Sequence, residues 1–228
     1  ARTNAGRVLS VSRFKRDCDF FADGIQLSAS GTTFRLCSPD GDIDVKLALL
    51  GAAMVSNALL AAASAWAVGA SLVDIAEGLA SLTAVKGRLH LQVLPTMNLI
   101  DDSYNANPAS VKAAIDVLAS FSGRRVLVLG DMAELGAESE SLHLEVGRYA
   151  AQSGIDHLLS CGNLSQHAAQ GAGHIATHFL NKNALLADIQ NQLQLGDSVL
   201  VKGSRSAGMD VVVKEIASTG VTGGNTPC

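Results

Sequence analysis

From residue 97 onward, short apolar runs alternate with stretches of helical periodicity, and this rhythm leaves few folds open. Strands are predicted at 97–101, 126–130, 157–161, 174–178 and 198–202, and helices at 108–121, 139–152, 163–170, 182–193 and 207–217. Alternation of this kind, with short links, implies a parallel sheet with right-handed crossovers. All strand C-termini of such a sheet lie on one edge, where ligands of open α/β folds bind. Four unusual loops follow strands: Asp101–Pro108, Gly130–Leu135, Cys161–Asn163 and Lys202–Ser206. They are expected to meet on one rim and to bring Asp101, Asp102, Asp131, Glu134, Lys202 and Arg205 into a crevice of mixed charge. A ligand carrying both an ammonium and a carboxylate, or a phosphate, suits such a crevice.

The first of these loops is the most informative. Asp101-Asp-Ser-Tyr-Asn-Ala-Asn-Pro108 places two carboxylates at the end of an apolar run, and two adjacent carboxylates are costly there unless paired. Asn107 before Pro108 reads first as a helix cap, because the amide accepts from the helix start and Pro has no N–H to leave unpaired. Tyr104 and Asn105 are less easily absorbed by turn chemistry. Lys202 and Arg205 flank Gly203 after a buried strand, which suits an anion clamp.

Upstream, residues 8–50 read as short antiparallel strands around Phe34–Cys37 and Asp44–Ala48, with turn chemistry at Ser28–Gly31 and Ser38–Gly41. Helices are predicted at 54–68 and 71–82, the second capped by Ser71. Gly87 breaks the pattern, which puts a domain boundary near 86–90. The tail from Ser218 is small and polar and is expected to be flexible. The chain starts without Met, and its first element reads like the middle of a domain, so a fragment is expected.

Several function classes fall away. The net charge of −4, with no basic run, gives no electrostatic case for nucleic acid or an anionic membrane. Four scattered cysteines and six histidines show no ligand spacing for zinc, and a reducing, cytosolic setting fits them. The apolar stretch from Ala58 to Ala70 is too short to span a bilayer. No G-x-G-x-x-G supports a nicotinamide site, and no G-x-S-x-G supports a serine hydrolase.

Three motifs in order, Leu99-Ile-Asp-Asp-Ser-Tyr-Asn-Ala-Asn-Pro108, Val128-Leu-Gly-Asp-Met-Ala-Glu-Leu-Gly136 and Leu200-Val-Lys-Gly-Ser-Arg-Ser206, resemble the D-alanyl-D-alanine-adding Mur ligases. Ala84-Val-Lys-Gly-Arg88 resembles the linker before the C-terminal domain of that family, and Val55-Ser-Asn-Ala-Leu-Leu-Ala-Ala62 its Asn-bearing ATPase helix. The resemblance covers roughly residues 6–217. The Asp-Asn-Pro-Arg typical of the diaminopimelate- or lysine-adding branch is missing, and the run from Asp102 to Asn107 differs from the Asp-Ser-Lys-Ala-Thr-Asn of the glutamate-adding branch.

The resemblance implies an α/β fold: the strand-and-helix end of an ATP-binding domain over residues 1–87, a Rossmann-like parallel-sheet domain over 88–217, and a tail over 218–228. It implies a reaction in which ATP, with Mg²⁺, phosphorylates the carboxylate of UDP-N-acetylmuramoyl-tripeptide and the amine of D-Ala-D-Ala attacks the acyl phosphate. It assigns Asn57, Arg88, Asp102 and Tyr104 to the nucleotide. Asn105, Asn107, Asp131, Lys202, Ser204 and Arg205 go to the substrate side, with Arg88 and Lys202 closest to the chemistry. A monomeric, cytoplasmic, bacterial ligase is the expectation.

Two departures stand out. No G-x-x-x-x-G-K-[ST] phosphate loop occurs, so the chain is expected to be a C-terminal half that cannot catalyse alone. Gly51-Ala-Ala-Met54 stands where the family has Gly-x-His-Asn, which removes a basic ring and an amide from the nucleotide side. The competing expectation is a non-catalytic module that holds dipeptide or nucleotide, or docks on an intact ligase.

Overall fold

The computed structural model describes residues 8–219. The chain divides into two compact units, with the division between Thr83 and Ala84.

In the first unit, β1 (Val11–Ser12), β2 (Phe20–Ser28), β3 (Gly31–Ser38) and β4 (Gly41–Leu47) form a sheet in that order. The hairpins join as their turn residues predict. Ser28 Oγ donates to the Gly31 carbonyl at 3.0 Å and Ser38 Oγ to the Gly41 carbonyl at 2.8 Å. The β2–β3 and β3–β4 pairs are antiparallel, while β1 runs parallel to β2. Helices α1 (Ala52–Ala67) and α2 (Leu72–Ala80) share a core with the sheet through Phe20, Leu36, Leu47, Val55, Leu59 and Ile75. The alanine-rich stretch is therefore a packed helix. Among the described residues no helix is long and apolar enough to cross a membrane.

The second unit is built on six strands: β5 (His90–Val93), β6 (Asn98–Asp102), β7 (Arg125–Gly130), β8 (His157–Cys161), β9 (Ala176–Phe179) and β10 (Ser198–Lys202), in the order β5-β6-β10-β7-β8-β9. Five run parallel; β5, which periodicity did not reveal, pairs antiparallel with β6 at the edge. Its four residues alternate too briefly to register as a strand.

The connecting helices are α3 (Pro108–Ala119), α4 (Ser139–Gln152), α5 (Gln166–Ala172), α6 (Lys182–Gln192) and α7 (Asp210–Thr219). Helices α6 and α7 pack on the sheet face made by Leu99, Val126, Val128, Leu159, Val199 and Val201. The alternating residues Ile100, Leu127, Leu158 and Leu200 point to the opposite face and are equally buried.

Three boundaries moved for local reasons. Helix α5 starts at Gln166 rather than 163, because the 162–165 turn donates two backbone N–H groups to Asp131. Helix α7 starts at Asp210 rather than 207, because Arg205–Ala207 form a tight turn closed by Gly208 in the left-handed region. It also runs through Ser218 and Thr219, whose hydroxyls donate to the Glu215 carbonyl, so the expected tail loses its first two residues to a helix. The rest of that tail, from residue 220, lies outside the described residues, as do residues 1–7.

Candidate functional site

Strand order decides which loops are neighbours. Strand β10 lies between β6 and β7, so the loops after these three strands adjoin at the sheet's C-terminal edge. The register pairs Lys202 directly with Asp102. Lys202 Nζ donates to Asp102 Oδ2 at 2.5 Å and to the Asn105 carbonyl at 2.9 Å, with Lys202 only 2% and Asp102 7% exposed. The other Asp102 oxygen accepts the Leu89 N–H at 3.1 Å. Burial pushes the Asp102 carboxyl up and the Lys202 ammonium down, and each shift is opposed by the partner's charge.

Asp101 is engaged as completely. Its Oδ1 accepts from the Ser103 N–H at 3.1 Å and the Ser103 hydroxyl at 2.6 Å, and its Oδ2 accepts from the Gly87 N–H at 3.1 Å. Gly87 in turn accepts from the Tyr104 N–H. With φ of 80° and an added Cβ only 3.2 Å from the Tyr104 Cβ, this position suits glycine. The two carboxylates thus tie residues 87–89 to the start of the loop. Leu89, between them and β5, has φ of 47°.

Tyr104 stands exposed above this base. The Arg88 guanidinium lies 4.2 Å from its ring centroid and that of Arg205 5.2 Å, and Arg205 Nη1 donates to the Tyr104 hydroxyl at 3.1 Å. On one side is a hollow of about 610 Å³ lined by Tyr104, Asn105, Asn107, Glu134, Ser204 and Arg205, among others. On the other is a hollow of about 380 Å³ whose lining includes Lys86, Gly87, Asp101 and Asp210. A third concavity, about 470 Å³, lies on the first unit; of its lining charges Arg35 and Asp44 pair with one another and Asp23 pairs with Arg16, while Lys46 also lines it.

The expected six-charge crevice is therefore divided. Glu134 and Arg205 line the larger hollow; Asp102 and Lys202 are a buried pair beneath the rim; Asp101 is locked into the 87–89 turn. Asp131 departs furthest from expectation. Its Oδ1 accepts from the N–H groups of Leu164 and Ser165 at 3.1 and 2.7 Å, so it caps the turn after β8, and it lines neither hollow at this edge. Asn107 caps α3, its side chain accepting the Ser110 N–H at 2.8 Å in a reciprocal capping box. Asn105 Oδ1 accepts the Ala106 N–H at 2.9 Å. Ser204 is buried, with its hydroxyl 3.2 Å from that of Ser206. Asn57 is exposed on α1 in the first unit, and among the described residues its amide nitrogen lies 3.9 Å from the Met54 sulfur.

Two contributors escaped the sequence reading. His143, fully buried in α4, has Nε2 3.0 Å from the Met132 N–H and Nδ1 2.7 Å from the Ser139 carbonyl. Lys182 donates to the Ala207 carbonyl at 2.7 Å and braces the turn after Arg205. Neither carries a sequence signal, because both partners arrive from distant segments or a neighbouring turn. Among the described residues no group of three or more His, Cys, Asp or Glu could hold a metal ion.

Comparison with known proteins gives a consistent set of relatives. The family model "Mur ligase, glutamate ligase domain" matches residues 87–205. A UDP-N-acetylmuramoyl-tripeptide--D-alanyl-D-alanine ligase from Escherichia coli K12 is 48% identical over 217 residues, covering 94% of this chain and 48% of that protein. The ligase of the same name from Bacillus subtilis 168 is 32% identical over 206 residues, covering 87% of this chain and 45% of its own. Among solved structures, MurF from Acinetobacter baumannii matches with a TM-score of 0.85 at 34% identity, over 92% of this chain and 47% of that one. A MurF ligase from Thermotoga maritima, solved in complex with ADP, shares the fold at a TM-score of 0.77 and 22% identity, over 92% of this chain and 48% of that one. The chain spans about half the length of the curated relatives it matches.

Proposed function

The chain belongs to the Mur ligase family, and from that premise we propose that it forms the dipeptide-binding, C-terminal portion of an ATP-dependent, ADP-forming ligase that joins D-alanyl-D-alanine to UDP-N-acetylmuramoyl-tripeptide. The observation that carries this reading is the larger hollow. It sets an exposed carboxylate, Glu134, and an exposed guanidinium, Arg205, around the amide of Asn105, a lining suited to a small zwitterion. The family relatives named for this reaction align with nearly the whole chain.

Within that proposal the roles divide by exposure. Arg205 meets the dipeptide carboxylate, and Asn105 and Ser204 line its path. Asn107 holds the start of α3. Lys202 and Asp102 are positioning residues: every hydrogen bond they make is internal, and the pair fixes Asn105 and the 88–89 segment. The resemblance assigns Asp102 to the nucleotide and sets Lys202 close to the chemistry; their deep burial favours the positioning role. Arg88, exposed and stacked on Tyr104, is the group on this unit free to reach a nucleotide. ATP, when bound, supplies activation of the tripeptide carboxylate as an acyl phosphate. The chain contains no phosphate-loop motif and no metal cluster among its described residues, so no step of phosphoryl transfer is assigned to its residues, and catalysis by these 228 residues alone is not expected. The free thiols of Cys18, Cys37 and Cys161 are in keeping with a cytoplasmic setting.

The test is a titration of the ¹⁵N-labelled chain with D-Ala-D-Ala. Amide shifts are expected at Asn105, Glu134 and Arg205, and much smaller ones with L-Ala-L-Ala. An unperturbed spectrum at tens of millimolar dipeptide would sink the reading.

A further inference from the structure

The larger hollow contains one acidic side chain to which the family resemblance assigns no role. Glu134 is exposed and has no hydrogen-bond or ion-pair partner among the described residues, although Arg205 lines the same hollow. Its backbone lies at φ of 62°, in the left-handed region. Glycine or asparagine occupies that region at least cost, whereas a glutamate there is strained and persists only where its surroundings hold it.

The surroundings do hold it. Two residues before Glu134, the Met132 N–H donates to His143 Nε2, while the other ring nitrogen faces the Ser139 carbonyl. One proton arrangement satisfies both contacts: Nδ1–H donates to Ser139 and a bare Nε2 accepts from Met132, which is the neutral imidazole. Immediately upstream, Asp131 is fixed by two N–H groups from the turn after β8, and its carbonyl accepts from the Ser204 N–H at 2.9 Å. The loop is thus pinned at two successive residues, Asp131 and Met132, just upstream of the residue that carries the strain.

We propose that Glu134 is the ammonium-binding carboxylate of the hollow, opposite Arg205, and that it selects ligands with a free α-amine. The assignment rests on the dipeptide reading given above and deepens it. It places the attacking amine at the Glu134 end of the hollow and gives this loop, rather than Asp131, the substrate contact.

The experiment compares D-Ala-D-Ala with N-acetyl-D-Ala-D-Ala, which lacks the ammonium, by the same titration of the full chain and of its Glu134→Gln and Glu134→Gly variants. Loss of a charge-assisted contact is expected to weaken D-Ala-D-Ala binding about ten-fold or more in both variants. The acetylated dipeptide, weak from the start, should bind wild type and variants alike. Glu134→Gly suits the positive φ, so its melting temperature should not fall below that of wild type, which separates lost recognition from lost folding. Unchanged D-Ala-D-Ala affinity in Glu134→Gln, or equal weakening for both ligands, overturns the assignment and leaves the dipeptide reading intact. A wild-type chain that ignores D-Ala-D-Ala altogether removes that reading and the assignment with it.

Discussion

A lysine ammonium at 2% exposure is stable only because its hydrogens have acceptors, here Asp102 and the Asn105 carbonyl. Removing one member of such a pair leaves the other charge buried and uncompensated, which costs about 3–5 kcal/mol. Lys202→Met should therefore lower the urea-unfolding free energy by about that amount. The double variant Lys202→Met/Asp102→Asn should recover part of the loss, and a double variant as unstable as the single would argue against the pair. His143 makes a second prediction. Burial lowers its pKa, so as pH falls the unfolded chain takes up the proton first. The stability contributed by the neutral ring is complete above about pH 6.5, the unfolded value, and is lost as pH falls through the depressed folded one. His157 and His178 shift the same way, mainly through burial. Stability should therefore decline on acidification in wild type and decline less steeply in His143→Gln. Equal slopes in urea midpoints between about pH 7.5 and about pH 5.5 would count against His143. The capping of Asn107 was legible from its neighbours in sequence; the partners of Lys202 and His143 were not.

The helices around the site owe their placement to close backbone approaches. An added Cβ at Gly147 of α4 would lie 1.9 Å from the Ala168 carbonyl oxygen of α5, and one at Gly171 would lie 2.1 Å from that of Leu144. Backbone cannot yield as a flexible side chain can, so Gly147→Ala should destabilise by at least about 1–3 kcal/mol. Gly78 is the control. It sits in the last turn of α2, where an added Cβ would meet nothing within 4 Å and no positive φ is required, so Gly78→Ala should stabilise by up to about 0.5–1 kcal/mol. Thermal melts of the two variants should move in opposite directions, and two shifts of the same sign would contradict the packing argument. Apolar periodicity located these helices within a few residues. It could not show that α4 and α5 touch at their glycines, since glycine has the same composition signal in a turn as at a helix crossing. Nor could it show the delayed start of α5, set by a carboxylate from another loop.

At the scale of the molecule, the second unit has its own core, in which strands β6, β7, β8 and β10 share apolar side chains with α6 and α7. A chain cut to residues 84–219 should therefore fold alone and unfold in one cooperative transition by circular dichroism. A broad, non-cooperative melt would show that this unit needs the preceding residues. The same division accounts for the spread of the expected nucleotide contacts. Arg88, Asp102 and Tyr104 belong to the second unit and Asn57 to the first.

The amino-acid sequence by itself determined the alternating strands and helices of the second unit apart from the edge strand β5, the parallel class of those strands and the set of loops on their C-terminal rim. These follow from local preferences: period two against period three to four, capping residues, and glycine at turns. Which loops touch was decided only in three dimensions. Strand β10, last in the chain, enters between β6 and β7, where its backbone hydrogen bonds to both neighbours are satisfied. That insertion sets Lys202 beside Asp102 and Arg205 beside Tyr104, and brings Glu134 to the hollow they border. Asp131, one residue past β7, turns instead to the loop after β8, its other neighbour, where two unpaired N–H groups await an acceptor. No local pattern encodes that choice, because it depends on which donors the completed sheet leaves within reach.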